Sequence, residues 1–107
     1  MNRGTICWVS LEPVSPPEPG KTRPAIFVSN SDQNLVLQSM VVIPLSSQAP
    51  EIWPLRLRLE LPPGKSSYAI LPGIRQVSMA RIQQVAGLAR AADKDRLDQA
   101  IELYLGD

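Results

Sequence analysis

The chain is 107 residues long, with 44% hydrophobic residues, 5% aromatics, one cysteine, no histidine and a formal net charge of +1. That length predicts one domain, residues 1–107, whose core is mostly aliphatic. The absence of histidine excludes histidine-based acid–base catalysis, histidine metal ligands and a Ser-His-Asp triad, and with a single cysteine it leaves no zinc site within the chain.

The near-zero charge hides an asymmetry. Residues 1–92 carry nine basic and five acidic side chains, and residues 93–107 carry two basic and five acidic. A polyanion suits the first part, although so modest an excess predicts no strong non-specific duplex binding. Neither a charged-then-apolar leader nor a long apolar run is present, so the expectation is a cytoplasmic protein with no membrane span. Cys7 lies in an apolar run and reads as a buried, inert thiol.

Thr5–Leu11 is β-rich and forms the first predicted strand. Glu12–Gly20 follows with four prolines, an extended loop too long for a tight hairpin. Gly20-Lys21-Thr22-Arg23-Pro24 then feeds the apolar run Ala25–Val28. Pro24 fixes its own φ and pushes Arg23 towards extended backbone. The second strand is therefore set at Pro24–Ser29, with Arg23 where a loop meets sheet. A cation so placed more often marks a solvated edge, and it can also meet a ligand.

Asn30–Asn34 is a polar turn. Leu35–Leu45 is the next apolar run, strongest at Met40–Ile43, with Pro44 marking its exit. Trp53–Leu61 shows the clearest alternation, with Leu55, Leu57, Leu59 and Leu61 on one face and Arg56, Arg58 and Glu60 on the other. Pro62-Pro63-Gly64 turns the chain, and short strands follow at Tyr68–Leu71 and Ile74–Val77, separated by Pro72-Gly73. Ser78 caps a single turn at Met79–Ile82, Gln83–Ala86 is a last strand, and Asp93 caps a helix over Lys94–Leu105 that ends at Gly106. Leu97, Ala100, Ile101, Tyr104 and Leu105 make its apolar face. The fold class is mainly β: a small, strongly bent antiparallel sheet or barrel closed by a C-terminal helix.

Gly-Lys-Thr-Arg-Pro-Ala at 20–25, with Trp8-Val9-Ser10-Leu11-Glu12-Pro13 before it, Val28-Ser29-Asn30 after it, and Val42-Ile43-Pro44-Leu45-Ser46-Ser47 and Ile74-Arg75 further on, resembles the MazF/PemK family of toxin endoribonucleases. The resemblance implies an SH3-like (PemK/CcdB-like) barrel. It further implies a homodimeric toxin of a type II toxin–antitoxin system that cleaves single-stranded RNA without metal or other cofactor, leaving a 2′,3′-cyclic phosphate. The implied partner is a MazE-like antitoxin with a disordered acidic tail, and the toxin–antitoxin complex would bind DNA. Arg23 matches the family's essential loop-end arginine and would clamp phosphate and donate a proton. Ser46 stands where the family's Pro-x-Thr segment has threonine, and keeps the hydroxyl. Glu18 falls at the acidic position of the first loop, as a base or a group that orients Arg23. Lys21, Thr22, Ser47 and Arg75 are the matching RNA contacts. Where many members carry Asp-Gln-x-Arg, this chain has Pro72-Gly73-Ile74-Arg75, so an acid used by one branch is absent. The competing functions are an SH3-like RNA- or peptide-binding module with weakened catalysis, or a gyrase-directed toxin of the same fold.

Overall fold

The structure is a computed structural model that describes residues 2–10, 22–30, 32, 36, 38–61 and 65–106. Its strands are β1 (Thr5–Ser10), β2 (Thr22–Phe27), β3 (Ser39–Ser46), β4 (Arg56–Leu61), β5 (Lys65–Ile70), β6 (Arg75–Ser78) and β7 (Ile82–Leu88), followed by helix α1 (Ala91–Leu105). Short 3-10 turns at Leu71–Gly73 and Met79–Arg81 flank β6. All pairings are antiparallel, in the order β4-β5-β3-β2-β1-β7, with β6 also on β3.

Side-chain alternation splits the interior in two. Ile6, Ile26, Ile43, Leu45, Leu57, Leu59, Ala69 and Leu71 form one cluster, onto which Leu97 and Ala100 of α1 pack. Cys7, Val9, Ala25, Phe27, Met40, Val42 and Val77 form a second cluster on the opposite face of the same strands, covered in part by Met79 and Ile82. Neighbouring residues such as Ala25 and Ile26 thus enter different cores, which is why β2 and β3 read as continuous apolar runs and not as alternating ones.

Pro44 does not end β3. It pairs with Ala25 inside the strand. Val28 donates its amide to Val41 O at 3.0 Å, which makes 28/41 a hydrogen-bonded pair, so along the ladder the nitrogen at 44 points away from β2. On that side β3 pairs with β6 through Val42 and with β5 from Leu45. The missing donor therefore falls where β3 changes partner, the one internal place a proline does not break a ladder. Gly73 closes this gap. A Cβ there would lie 2.6 Å from Pro44 Cγ and 3.1 Å from Cδ.

The β4 edge is sealed by three separate acceptors. Arg56 N donates to Ile52 O (2.6 Å), Arg58 N to Glu51 Oε2 (2.8 Å) and Glu60 N to Asp93 Oδ2 (3.1 Å). An edge strand with its outward amides engaged offers no template for another chain. The Ile52–Arg56 bridge also explains why the strand starts at Arg56 and not Trp53. Leu57 and Leu59 are fully buried as the alternation requires, whereas Leu55 is exposed in the preceding turn.

The helix begins at Ala91, with Arg90 and not Asp93 at the cap position. Asp93 sits in the first turn, buried, held by Arg90 Nε at 3.4 Å and by the Glu60 amide. It serves the sheet edge more than the helix end. Leu97 and Ala100 are buried and Ile101 and Tyr104 pack beside them, but Leu105 is exposed. Ser78 caps its turn as expected, its Oγ accepting from Ala80 N at 3.3 Å, and Asn30 Oδ1 accepts from Asp32 N at 2.9 Å in the polar turn.

Two stability predictions result. Gly73→Ala forces Pro44 or the 3-10 turn to shift and lowers the unfolding free energy by about 1–3 kcal/mol, measured by urea denaturation. Cys7 is fully buried, and burial pushes its thiol from 9.0 up to about 11. The folded state thus holds its proton more tightly than the unfolded chain does, so this contribution is complete below pH 9 and lost as pH rises from 9 towards 11. Urea titrations across that range should show the decline in wild type and less of it in Cys7→Ala.

Candidate functional site

The β2–β3 register places the proposed residues. Its pairs run Phe27–Val42, Ile26–Ile43 and Ala25–Pro44, and two residues further the same register sets Arg23 opposite Ser46. On the other side Arg23 pairs with Val9 of β1, and Ser46 pairs with Tyr68 of β5. Arg23 shares the alternation of Ala25 and Phe27, and Ser46 that of Met40 and Val42, so both lie on the face of the second cluster. That cluster flanks them on the same face.

Arg23 is exposed, and its guanidinium has no partner among the described residues. Its five donors are available to an anion in the bidentate geometry that suits phosphate. Ser46 is half-buried, and its Oγ accepts from Gln48 N at 3.1 Å, which orients the hydroxyl. Its own proton has no acceptor among the described residues. A cation and a pre-oriented hydroxyl on adjacent strands, about 5 Å apart at the backbone, can grip one phosphate between them.

Thr22 and Arg75 lie elsewhere relative to this pair. Thr22 alternates to the opposite face. There it joins Trp8, Gln83 and Gln84 around an open depression of about 500 Å³. Arg75 opens β6 opposite Val42, on the Arg23 face but four residues along β3 from Ser46, about 13 Å away. Ser47 is exposed just past β3. Glu18 and Lys21 lie outside the described residues.

Sequence reasoning passed over Trp8 and Tyr68 as site neighbours, and left the basic face that holds Arg58 open between a binding surface and plain solvent. Trp8 is 40% exposed, with Pro24 and Gln84 opposite it. Nothing local marks it, because the run Thr5–Leu11 reads as buried throughout. Tyr68 stands between the buried Ser67 and Ala69, a large residue alternating with small ones, and that signal was readable. Among the described residues no group of three His, Cys, Asp or Glu side chains is disposed to hold a metal, and no helix is long and apolar enough to cross a membrane.

A curled antiparallel sheet with one closing helix, carrying an exposed arginine and a serine at the ends of neighbouring strands, defines a small-barrel protein. The family model described as "PemK-like, MazF-like toxin of type II toxin-antitoxin system" matches residues 2–105, and the chain belongs to that family. It is 28% identical over 113 residues to endoribonuclease MazF9 of Mycobacterium tuberculosis, covering 98% of this chain and 96% of that protein. A crystal structure of MazF from Deinococcus radiodurans superposes with a TM-score of 0.79 at 24% identity, covering 100% of this chain and 97% of the other. An endoribonuclease in complex with its cognate antitoxin, from a mycobacterial species, gives 0.81 at 17% identity, covering 100% and 98%.

Because Arg23 is exposed and has no partner among the described residues, Arg23→Ala should alter the unfolding free energy by no more than about 0.5 kcal/mol in urea titrations, so activity lost in that variant reports on chemistry and not on folding.

Proposed function

We propose that this chain is a cytoplasmic type II toxin that cleaves single-stranded RNA, without metal, by attack of a ribose 2′-OH on the adjacent phosphate. The new O2′–P bond forms as the P–O5′ bond breaks, giving a 2′,3′-cyclic phosphate and a 5′-hydroxyl. One proton leaves the 2′-OH and one arrives at the departing O5′. The observation that carries the reading is Arg23, an exposed guanidinium with no partner among the described residues, aligned with Ser46 across β2 and β3.

Arg23 supplies fixed donors to the phosphate oxygens, whose charge grows as the phosphorane forms, and such preorganised donors stabilise the transition state more than the ground state. A guanidinium presents N–H donors and no acceptor, so Arg23 is assigned to the phosphate and to the O5′ side, and not to removal of the 2′-OH proton. Ser46 Oγ, oriented by the Gln48 amide, donates to a non-bridging oxygen. Glu18 is the proposed base or orienter of Arg23, and Lys21, Thr22, Ser47 and Arg75 are proposed RNA contacts.

Pro72 stands at the position where some members carry an acid. Catalysis in this chain therefore rests on Arg23, Ser46 and the first loop. The proposed partners are a second copy of the chain and a cognate antitoxin whose acidic tail covers the Arg23 and Arg75 face. The mycobacterial neighbour solved with its cognate antitoxin supports the second of these.

The test is incubation of purified protein with mixed-sequence single-stranded RNA in EDTA. Discrete cuts ending in cyclic phosphate are expected. Arg23→Ala should lower the rate by at least about 100-fold, Ser46→Ala less, and Ser46→Thr should keep most of it. Undiminished cleavage by Arg23→Ala would refute its assignment. No cleavage by the wild type would favour a binding module, or a toxin with another target.

A further inference from the structure

The Arg23–Ser46 pair is the start of a longer row. Ser46 is paired with Tyr68 on β5, and Tyr68 with Arg58 on β4. Leu57, Leu59 and Ala69 enter the cluster beneath α1, so Tyr68 and Arg58 turn to the other face, the one that carries Arg23 and Ser46. Three strand steps separate Arg23 from Arg58, about 14 Å at the backbone. The row is thus a cation, a hydroxyl, an aromatic ring and a second cation, on one face of one continuous sheet.

Each outer member is disposed to meet a ligand. Tyr68 is partly exposed, and its hydroxyl has no partner among the described residues. The Arg58 side chain is 52% exposed, held by Ser66 Oγ through Nε (3.2 Å) and Nη2 (2.9 Å). Nη1 makes no bond among the described residues. Glu60 Oε1 lies 3.7 Å from Nη2 while Glu60 Oε2 lies 3.5 Å from Arg90 Nη1, a half-exposed arrangement that a phosphate can displace. The Arg58 amide is fixed to Glu51, so the residue stands on a sealed strand and not a frayed edge.

Resting on the ribonuclease reading, we infer that the substrate strand continues along this row: Tyr68 stacks a base that flanks the scissile phosphate, and Arg58 takes the next phosphate. Alternation of an aromatic face with cations is the arrangement by which single-stranded nucleic acid is held with little sequence demand. The site therefore binds a stretch longer than the bond it cuts.

The experiment compares binding of 2′-O-methyl RNA, which cannot react, carrying the sequence defined by the cleavage assay. A short form of about four nucleotides and forms of about ten, extended separately at the 5′ and 3′ ends, are titrated by fluorescence anisotropy. Wild type should gain about tenfold in affinity from one of the two extensions. That gain should vanish in Tyr68→Ala, persist in Tyr68→Phe, and shrink in Arg58→Ala with a flatter salt dependence. Arg23→Ala should weaken short and long forms alike while keeping the gain. Equal loss by Tyr68→Ala at every length, or an intact gain in both Tyr68→Ala and Arg58→Ala while Arg23→Ala abolishes cleavage, overturns the inference and leaves the ribonuclease reading standing. A wild type that neither cuts nor binds overturns both.

Discussion

The structure depends on one event in β3, its change of partner at Pro44. Up to Val42 the strand is bonded to β6, and from Leu45 it is bonded to β5, while β2 runs along its other side. Proline is the residue that this junction tolerates, because a donor there would meet neither neighbour. Gly73 lets the intervening turn close against the ring. The same junction lets β5 and β4 join β3 beside Ser46, which brings Tyr68 and Arg58 into line with Arg23. One irregularity in one strand thus assembles a face from four strands.

What holds the face in place is apolar packing on its reverse and beside it. The cluster around Ile43 and Leu59 anchors β3, β4 and β5 from below, with α1 closing it. The cluster around Phe27 and Val42 supports β1 and β2 directly beside the site. Asp93 and Glu51 tie α1 to the sheet edge, since each takes an amide of β4, Asp93 from α1 itself and Glu51 while pairing with Arg96 of α1 at 3.0 Å. The helix therefore acts on the sheet as a cover and as a source of capping groups.

Much of the fold was legible in the chain, and the reasons are local. Leu57 and Leu59 against Arg58 and Glu60 carry a period of two, Ser78 is a strong cap, and Leu97, Ala100, Ile101 and Tyr104 carry a helical period. Pro44 misled because a proline inside an apolar run ordinarily ends a strand, and only the pairing of β3 with β5 and β6 shows why this one does not. Asp93 misled for a related reason: its best partner is the amide of Glu60, 33 residues away, which no local rule reveals. In the site, Arg23 and Ser46 were legible through motif resemblance, and their alignment was not. Register is a long-range property, and it alone brings Tyr68 and Arg58 beside them.

The central claim is that Arg23 and Ser46 act on one phosphate. A double-mutant cycle on the cleavage rate, with Arg23→Ala, Ser46→Ala and the double variant, tests it most directly. Groups sharing a phosphate should be coupled, the double variant losing less than the two single losses combined by about 1 kcal/mol or more. Strict additivity within error would contradict the account, for it would mean that the two side chains work independently and that their alignment across β2 and β3 has no part in the chemistry.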